Sequence, residues 1–272
     1  MAGTLILCAG PIGNLADAPP RLAEALAAAS VIYAEDTRRA RTLLQHLGVE
    51  GSVRSYFVGN ENERAEEIRD LLSEGATIAL LTDAGTPAVA DPGVTAVRAA
   101  IEAGATVTGI PGPSAVTLAI ALSGESGDRF VFEGFFPRKG GARAKRLQAV
   151  ASEERTTVLF CAPNRLASDL GDLTELVGQR TCVVCREMTK LHEEVWRGTV
   201  AEAAAHWSER TVKGEVTVVI AGAAAPEPSL EAATEAAIGA IEEGERPSAA
   251  VRRIARATGV GRRALYEAVI DR

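Results

Sequence analysis

Long apolar runs are missing from this chain. No stretch approaches the ~18 to 20 residues that a helix needs to cross a bilayer, although 47% of the 272 residues are hydrophobic. That combination excludes a membrane-spanning helix and leaves a globular chain with enough apolar side chains for a sizeable core. The opening MAGTLILCAGPIG has no basic leader and only a short apolar part, so a cytoplasmic location is the expectation. Cysteine is scarce. Cys8, Cys161, Cys182 and Cys185 are too few for a disulfide framework in a chain this long. Cys182 and Cys185 do form C-x-x-C, but the surrounding RTCVVCREM reads as a strand, where residues three apart point to opposite faces. With no second pair to complete four ligands, strand packing is the expected role, and no metal site is expected. The three histidines, His46, His192 and His206, show no ligand spacing.

Several catalytic signatures are also absent. No G-x-G-x-x-G follows a strand, and there is no phosphate-binding G-x-x-x-x-G-K loop. Gly259, Gly261 and Ala264 match G-x-G-x-x-A, but no strand precedes them, and a turn between helices is the better account. No G-x-S-x-G elbow is present, which removes the usual support for serine hydrolase chemistry. Positive charge is not in excess either. The net charge is −7, which taken alone argues against nucleic acid. Distribution matters more than the sum. RKGGARAKR, from Arg138 to Arg146, holds five basic residues and no acid, and Arg252, Arg253, Arg256, Arg262 and Arg263 form a second acid-free cluster. Each reads either as a solvated helix face or as a grip on a phosphate backbone.

Strands alternating with helices are what the first half does contain. Leu5–Ala9, Val31–Glu35, SVRSYF, TIALLTD and ATVTGI read as strands. Between them lie helices starting at Pro19-Pro20, at Asp36 as N-cap, at ENERAEE and at PGVTAV, with Gly48 and Gly75 as stops. This order predicts a parallel sheet covered on both faces, which binds ligands beyond the carboxyl ends of its strands. Three of those ends carry unusual loops: AGPIGN, TDAGTPAVADPG and IPGPSA. Ordinary strand-to-helix connections need at most one special residue. Three Gly/Pro-rich loops on one rim read as a cradle. In the second, Gly85 allows close backbone approach, Pro87 stiffens the loop and Asp83 serves as a ligand-facing or loop-fixing acceptor. Asp91 is expected to cap the next helix, with Pro92 in its first turn.

After Ser114 the pattern changes. AVTLAIALSG reads as a helix, and FVFEGFFP, TTVLFCAPNRL, TCVVCREMT and EVTVVIAG read as strands of a second α/β domain. The tail from Pro226 is Ala/Glu-rich and helical, closing in two short helices around a Thr-Gly-Val-Gly turn. The expected domains are 1–113, 114–225 and a helical extension, 226–272.

CAGPIGNL, YAEDTRRARTLLQHLG, TDAGTPAVADPG, IPGPSA, DRFVFEGFFPRK, EMTK and KGEVTVVIAG, in this order and across nearly the whole chain, resemble the tetrapyrrole methylase superfamily. Within it, AEDTR followed by DAGTP resembles the branch that methylates the 2′-hydroxyl of a cytidine in 16S rRNA. Members acting on small tetrapyrroles usually carry Gly-Asp-Pro where this chain has Thr82-Asp83-Ala84-Gly85. The resemblance implies the class III methyltransferase fold, two α/β domains with S-adenosylmethionine folded into the cleft between them, usually in a homodimer. It implies that the cofactor meets Pro11, Asp83, Gly85, Thr86, Pro87, Ser114 and Ala115, with Cys161, Ala162 and Val218 closing the other side. The chain departs from the pattern at CAGPIGN and at FCAPNRL, which leaves backbone contacts at Cys161 and Ala162.

In such an enzyme the cofactor carries the activated methyl group, and the protein aligns the ribose hydroxyl and helps it lose a proton. Asp36 and Glu35 are the candidates for the base or for holding the ribose, and Arg38 for neutralising a phosphate. Asp36 fits a simple helix cap as well, and Glu187, Lys190 and Lys213 are alternatives facing the substrate. For the RNA of the small ribosomal subunit, Arg138, Lys139, Arg143, Lys145 and Arg146 are the expected grip. Phe135 and Phe136 read either as stacking partners for one base or as core. A tetrapyrrole methyltransferase and a non-catalytic, cofactor-sensing ribosome-binding protein are the rival readings.

Overall fold

The computed structural model describes residues 2–224 and 229–271. It divides into two compact units, Met1–Ala223 and Ala224–Arg272. The boundary expected at residues 225 and 226 lies outside the described residues.

The first unit opens with the alternation the sequence predicts. Strands β1 (Thr4–Cys8), β2 (Val31–Ala34), β3 (Val53–Ser55), β4 (Thr77–Leu81) and β5 (Thr106–Ile110) alternate with helices α1 (Pro20–Ala28), α2 (Thr37–Leu47), α3 (Glu61–Ser73) and α4 (Val94–Glu102). All strand pairs are parallel, in the order β3-β2-β4-β1-β5. Alternation along β2 decides the layers. Ile32 and Ala34 join Leu22 and Leu26 of α1 and Leu43 and Leu44 of α2 in one core. Val31 and Tyr33 face the other way, with Ile68 and Leu72 of α3 and Ala96 and Ala100 of α4. Helix α2 begins where Asp36 accepts from the Arg38 backbone N–H and stops at Gly48, whose φ of 67° suits glycine. Helix α4 differs from expectation. Its N-cap is Gly93, not Asp91, and the Glu61 carboxylate accepts from the Gly93 N–H at 3.2 Å.

Helix α5 (Ala115–Ser123) leads to a second sheet of β6 (Phe130–Phe135), β7 (Thr156–Cys161), β8 (Thr181–Arg186), β9 (Glu194–Thr199) and β10 (Val216–Ile220), in the order β6-β7-β10-β8-β9. Only β6 and β7 pair in parallel; the other pairs are antiparallel. Strand β9 was not foreseen from the sequence. It forms a hairpin with β8, and its Trp196 packs against the core. Helices α6 (Gly141–Ser152), α7 (Leu166–Val177) and α8 (Val200–Ser208) cover one face, and α5 covers the other through Val116, Ala119 and Ile120. Cys182 and Cys185 are buried in opposite cores, and burial pushes their thiols up to about 12 and about 11. They are packing residues, inert as thiolates.

The second unit holds α9 (Leu230–Glu242), α10 (Pro247–Thr258) and α11 (Arg262–Ile270) around a small core of Ala233, Ala237, Val251, Ile254 and Leu265. Gly259, at φ 75°, ends α10 and turns the chain into α11. Arg253 pairs with Glu245 and Arg263 with Glu267, while Arg252, Arg256 and Arg262 are exposed.

Candidate active site

The sheet order, more than any single residue, builds the site. Because β1 lies between β4 and β5, the three Gly/Pro-rich loops leave neighbouring strands on one rim. The first two are tied directly: the Gly10 N–H donates to the Gly85 carbonyl at 2.8 Å. Gly85 sits at φ 72°, where a side chain would be strained. Among the described residues four non-glycine residues also have positive φ, Ala88 and Ala90 in the β4 loop and Glu187 and Thr189 after β8. Such backbone persists only where its surroundings over-determine it, and it concentrates at ligand clamps.

Between these loops and the second sheet lies a cavity of about 370 Å³. Gly85, Thr86, Ser114, Ala115, Cys161 and Ala162 all line it, as the resemblance implies. So do residues not foreseen in this role, Ile12, Asp91, Phe160, Glu215 and Thr217. The size fits a small-molecule site, and an apolar wall with a few hydroxyls and two carboxylates, Asp91 and Glu215, is the mix such sites carry. Phe135, 55% exposed, lines the same cavity beside Phe160, with ring centroids 5.5 Å apart. Its neighbour Phe136 faces the other way and is buried beneath the Arg143 guanidinium.

Four expected contacts fall elsewhere. The Val218 side chain is fully buried in the core of the second sheet; Val216 and Thr217, nearer the strand's start, reach the cavity instead. Pro87 is buried beneath its loop and lines neither this cavity nor the next. Pro11 and Asp83 line a second cavity of about 310 Å³ on the far side of the same two loops, with Asp36, Arg39 and Thr42. Asp83 fixes the loops. One carboxylate oxygen accepts from the Asp36 N–H at 2.9 Å, and the other lies 3.3 Å from the Arg39 guanidinium.

The acids differ sharply in character. Asp36 caps α2 and accepts from the Arg38 guanidinium at 2.8 Å, which holds its carboxyl well below the usual carboxylate range. Such a carboxylate is a weak base, so Asp36 is better suited to fixing structure. Arg38 is spent on the same pair. Burial, followed by the charges of Asp83 and Asp91, raises Glu35, whose carboxylate accepts from the Thr82 hydroxyl at 3.4 Å. Burial also raises Asp91, with Asp83 and Glu215 adding to the effect. In the loop after β8, Lys190 donates to Glu187 at 2.7 Å and to Glu215, which lines the cavity, at 3.1 Å. Its stem lies where a side chain at position 13 would be, which is why Gly13 is a glycine. Burial works against the ammonium, and the two carboxylates outweigh it, keeping Lys190 charged. Among the described residues no group of three or more potential ligands could hold a metal ion.

The basic segment divides. Arg138, Lys139 and Lys145 are exposed and make no ion pair among the described residues. Arg146 pairs with Glu133. Arg143 corrects the sequence expectation: it is 8% exposed and lies 2.8 Å from Asp169, with its Nε 2.9 Å from Asp172. It faces inward at a position where the α6 pattern brings it under the helix, beside Leu147 and Val150.

Two sheets flanked by helices, with a cavity of small-molecule size at the loop rim of the parallel one, define an α/β ligand-binding architecture. The chain belongs to the Tetrapyrrole (Corrin/Porphyrin) Methylases, whose family model matches residues 4–204. It is 48% identical to the Ribosomal RNA small subunit methyltransferase I of Mycobacterium tuberculosis, over 99% of this chain and 95% of that one. The protein of the same name from Thermotoga maritima is 43% identical over 220 residues, 81% of this chain and 99% of the relative. Among solved structures, the uroporphyrin-III C-methyl transferase of Thermus thermophilus complexed with S-adenyl homocysteine is similar, with a TM-score of 0.59 at 18% identity, covering 80% of this chain and 97% of that one.

Proposed function

We propose that this protein transfers a methyl group from S-adenosylmethionine to the ribose 2′-hydroxyl of a cytidine in 16S rRNA of the small ribosomal subunit, acting as a cytoplasmic homodimer. The observation that carries the reading is the coincidence of the loop-lined cavity with a near full-length match to relatives named as small-subunit rRNA methyltransferases. The cofactor, when bound, supplies an activated methyl group. The chain's own residues supply the rest. Gly85, Thr86, Ser114 and the backbone at Cys161 and Ala162 would hold it, with Ile12 and Phe160 as apolar wall. Asp91, inside the cavity with a raised pKa, is the group suited to accept the hydroxyl proton, and Glu35 lies beside it. Phe135 offers a half-exposed ring at the cavity edge, and exposed Arg138 and Lys139 come two residues beyond it, past Phe136 and Pro137, so phosphates would be gripped near the reacting nucleotide.

The test is transfer of labelled methyl from S-adenosylmethionine to purified small subunits lacking the modification, with the product located by nuclease digestion and mass spectrometry. One methyl per subunit on a cytidine ribose is expected. Label on a base, or on added uroporphyrinogen but not on RNA, would overturn the reading.

A further inference from the structure

A second cavity opens on the same loop rim, apart from the one assigned above to the cofactor. Its walls include apolar Pro11, Leu15, Leu43 and Leu81; of its polar groups, Asp36 is engaged by Arg38, Thr42 and Thr82 offer hydroxyls, and Arg39 and Asp83 form a pair. At about 310 Å³ it is the size of a small-molecule site. It shares two loops with the cofactor cavity. Pro11 and Gly13 line one and Ile12 the other; Asp83 lines one and Ala84 the other. The two cavities are therefore back to back, with Thr82 and Asp83 at the junction.

We propose that this second cavity is the nucleobase subsite, and that Arg39 and Asp83 together read the pairing edge of cytosine. The inference rests on the RNA-methylating reading above. Cytosine presents, side by side, an amino donor at N4 and acceptors at N3 and O2. Asp83 and Arg39 present the complement, a carboxylate acceptor beside a guanidinium donor fork, 3.3 Å apart. One Asp83 oxygen is committed to the Asp36 N–H, which fixes the direction of the other. Arg39 projects from the first turn of α2, is 63% exposed at its side chain and, among the described residues, pairs with no other acid. Its remaining N–H donors are free for a ligand. Uracil presents the opposite pattern at two of the three positions. Its O4 would face the carboxylate and its N3–H the guanidinium, leaving both protein groups unpaired or repelled. With the base between Leu15, Leu43 and Pro11, its ribose would lie at the junction, beside Thr82, Glu35 and Asp91.

The experiment uses the full chain and small subunits reconstituted with 16S rRNA carrying either cytidine or uridine at the methylated position. Cytidine is expected to be preferred by about 5- to 150-fold in kcat/KM, the range one specific base contact supplies. Arg39→Ala should lower kcat/KM for cytidine by a similar factor, with the Kd for S-adenosylmethionine unchanged by calorimetry. Asp83→Asn keeps an oxygen for the Asp36 N–H and turns the other position into a donor, so its cytidine-to-uridine ratio should fall toward one. If both variants keep the wild-type ratio while wild type remains active, the subsite is wrong and the RNA reading stands. If wild type transfers no methyl to either subunit, the RNA reading itself fails and this inference with it.

Discussion

At the scale of single residues, the decisive contrast is between acids that look alike in sequence. Asp36 and Asp91 each sit near the start of a helix, and each reads as a cap. Asp36 is one, and Arg38 holds its carboxyl low. Asp91 is not, because Gly93 takes the cap and leaves Asp91 in the cavity, where burial raises its pKa. A carboxyl raised in the folded state destabilises the fold when ionised, and that effect fades as pH falls through the folded pKa. Asp91→Asn is therefore expected to raise the melting temperature at neutral pH, with the gain shrinking in acid. The same variant should lower kcat by about 10² to 10⁴ and remove the acid limb of the pH–rate profile, which in wild type lies above the ordinary carboxylate range. Thermal melts and single-turnover rates across pH check both halves. An unchanged rate would take the proton-accepting role away from Asp91.

At the scale of elements, α6 shows why a run of like charges does not translate into one function. RKGGARAKR looks uniform, yet helical periodicity turns Arg143 inward onto Asp169 and Asp172 while Lys145 faces out. Arg143→Ala should destabilise the protein by about 1.5 to 3 kcal/mol, since it removes the closer of the two guanidinium partners of buried Asp169 and leaves only Arg165, at 3.2 Å. Denaturant titration measures this. Replacing Arg138, Lys139 and Lys145 together by Ala should leave stability within about 0.5 kcal/mol. It should weaken RNA binding at every sequence and flatten the log–log salt dependence by about 2 to 3. Filter binding at several salt concentrations separates the two classes. Equal loss of stability in both variants would contradict the division.

At the scale of the whole molecule, the two units differ in their standing within the family. The Thermotoga maritima relative is almost fully accounted for by 220 aligned residues, about the length of the first unit here. The family model likewise matches residues 4–204. A chain ending at Ala223 is thus expected to keep the two-sheet core and its affinity for S-adenosylmethionine, checked by calorimetry and circular dichroism. Loss of cofactor binding on truncation, with the fold retained, would overturn this expectation. Among the described residues no helix is long and apolar enough to cross a membrane.

Much of this was legible without coordinates because it is governed by local chemistry. Asp36 caps α2 because its short side chain reaches a backbone N–H two residues on, and Gly48 ends the helix because it accepts positive φ at little cost. Strand–helix alternation fixed the parallel first sheet, and the density of Gly and Pro marked three loops as more than turns. The second sheet was less legible, since β9 carries a mixed EVWRGT pattern and its place depends on pairing with β8. What the amino acids alone determined were these periodicities, caps and loop compositions, all set within a few residues along the chain. Only the tertiary structure decided that β1 lies between β4 and β5, gathering the loops, and that Asp91, Glu215 and Thr217 meet around one cavity. Likewise, it alone set Arg39 against Asp83, 44 residues apart in sequence, as one donor–acceptor pair. Those outcomes depend on strand order and on the burial of charge, which no local pattern of residues encodes.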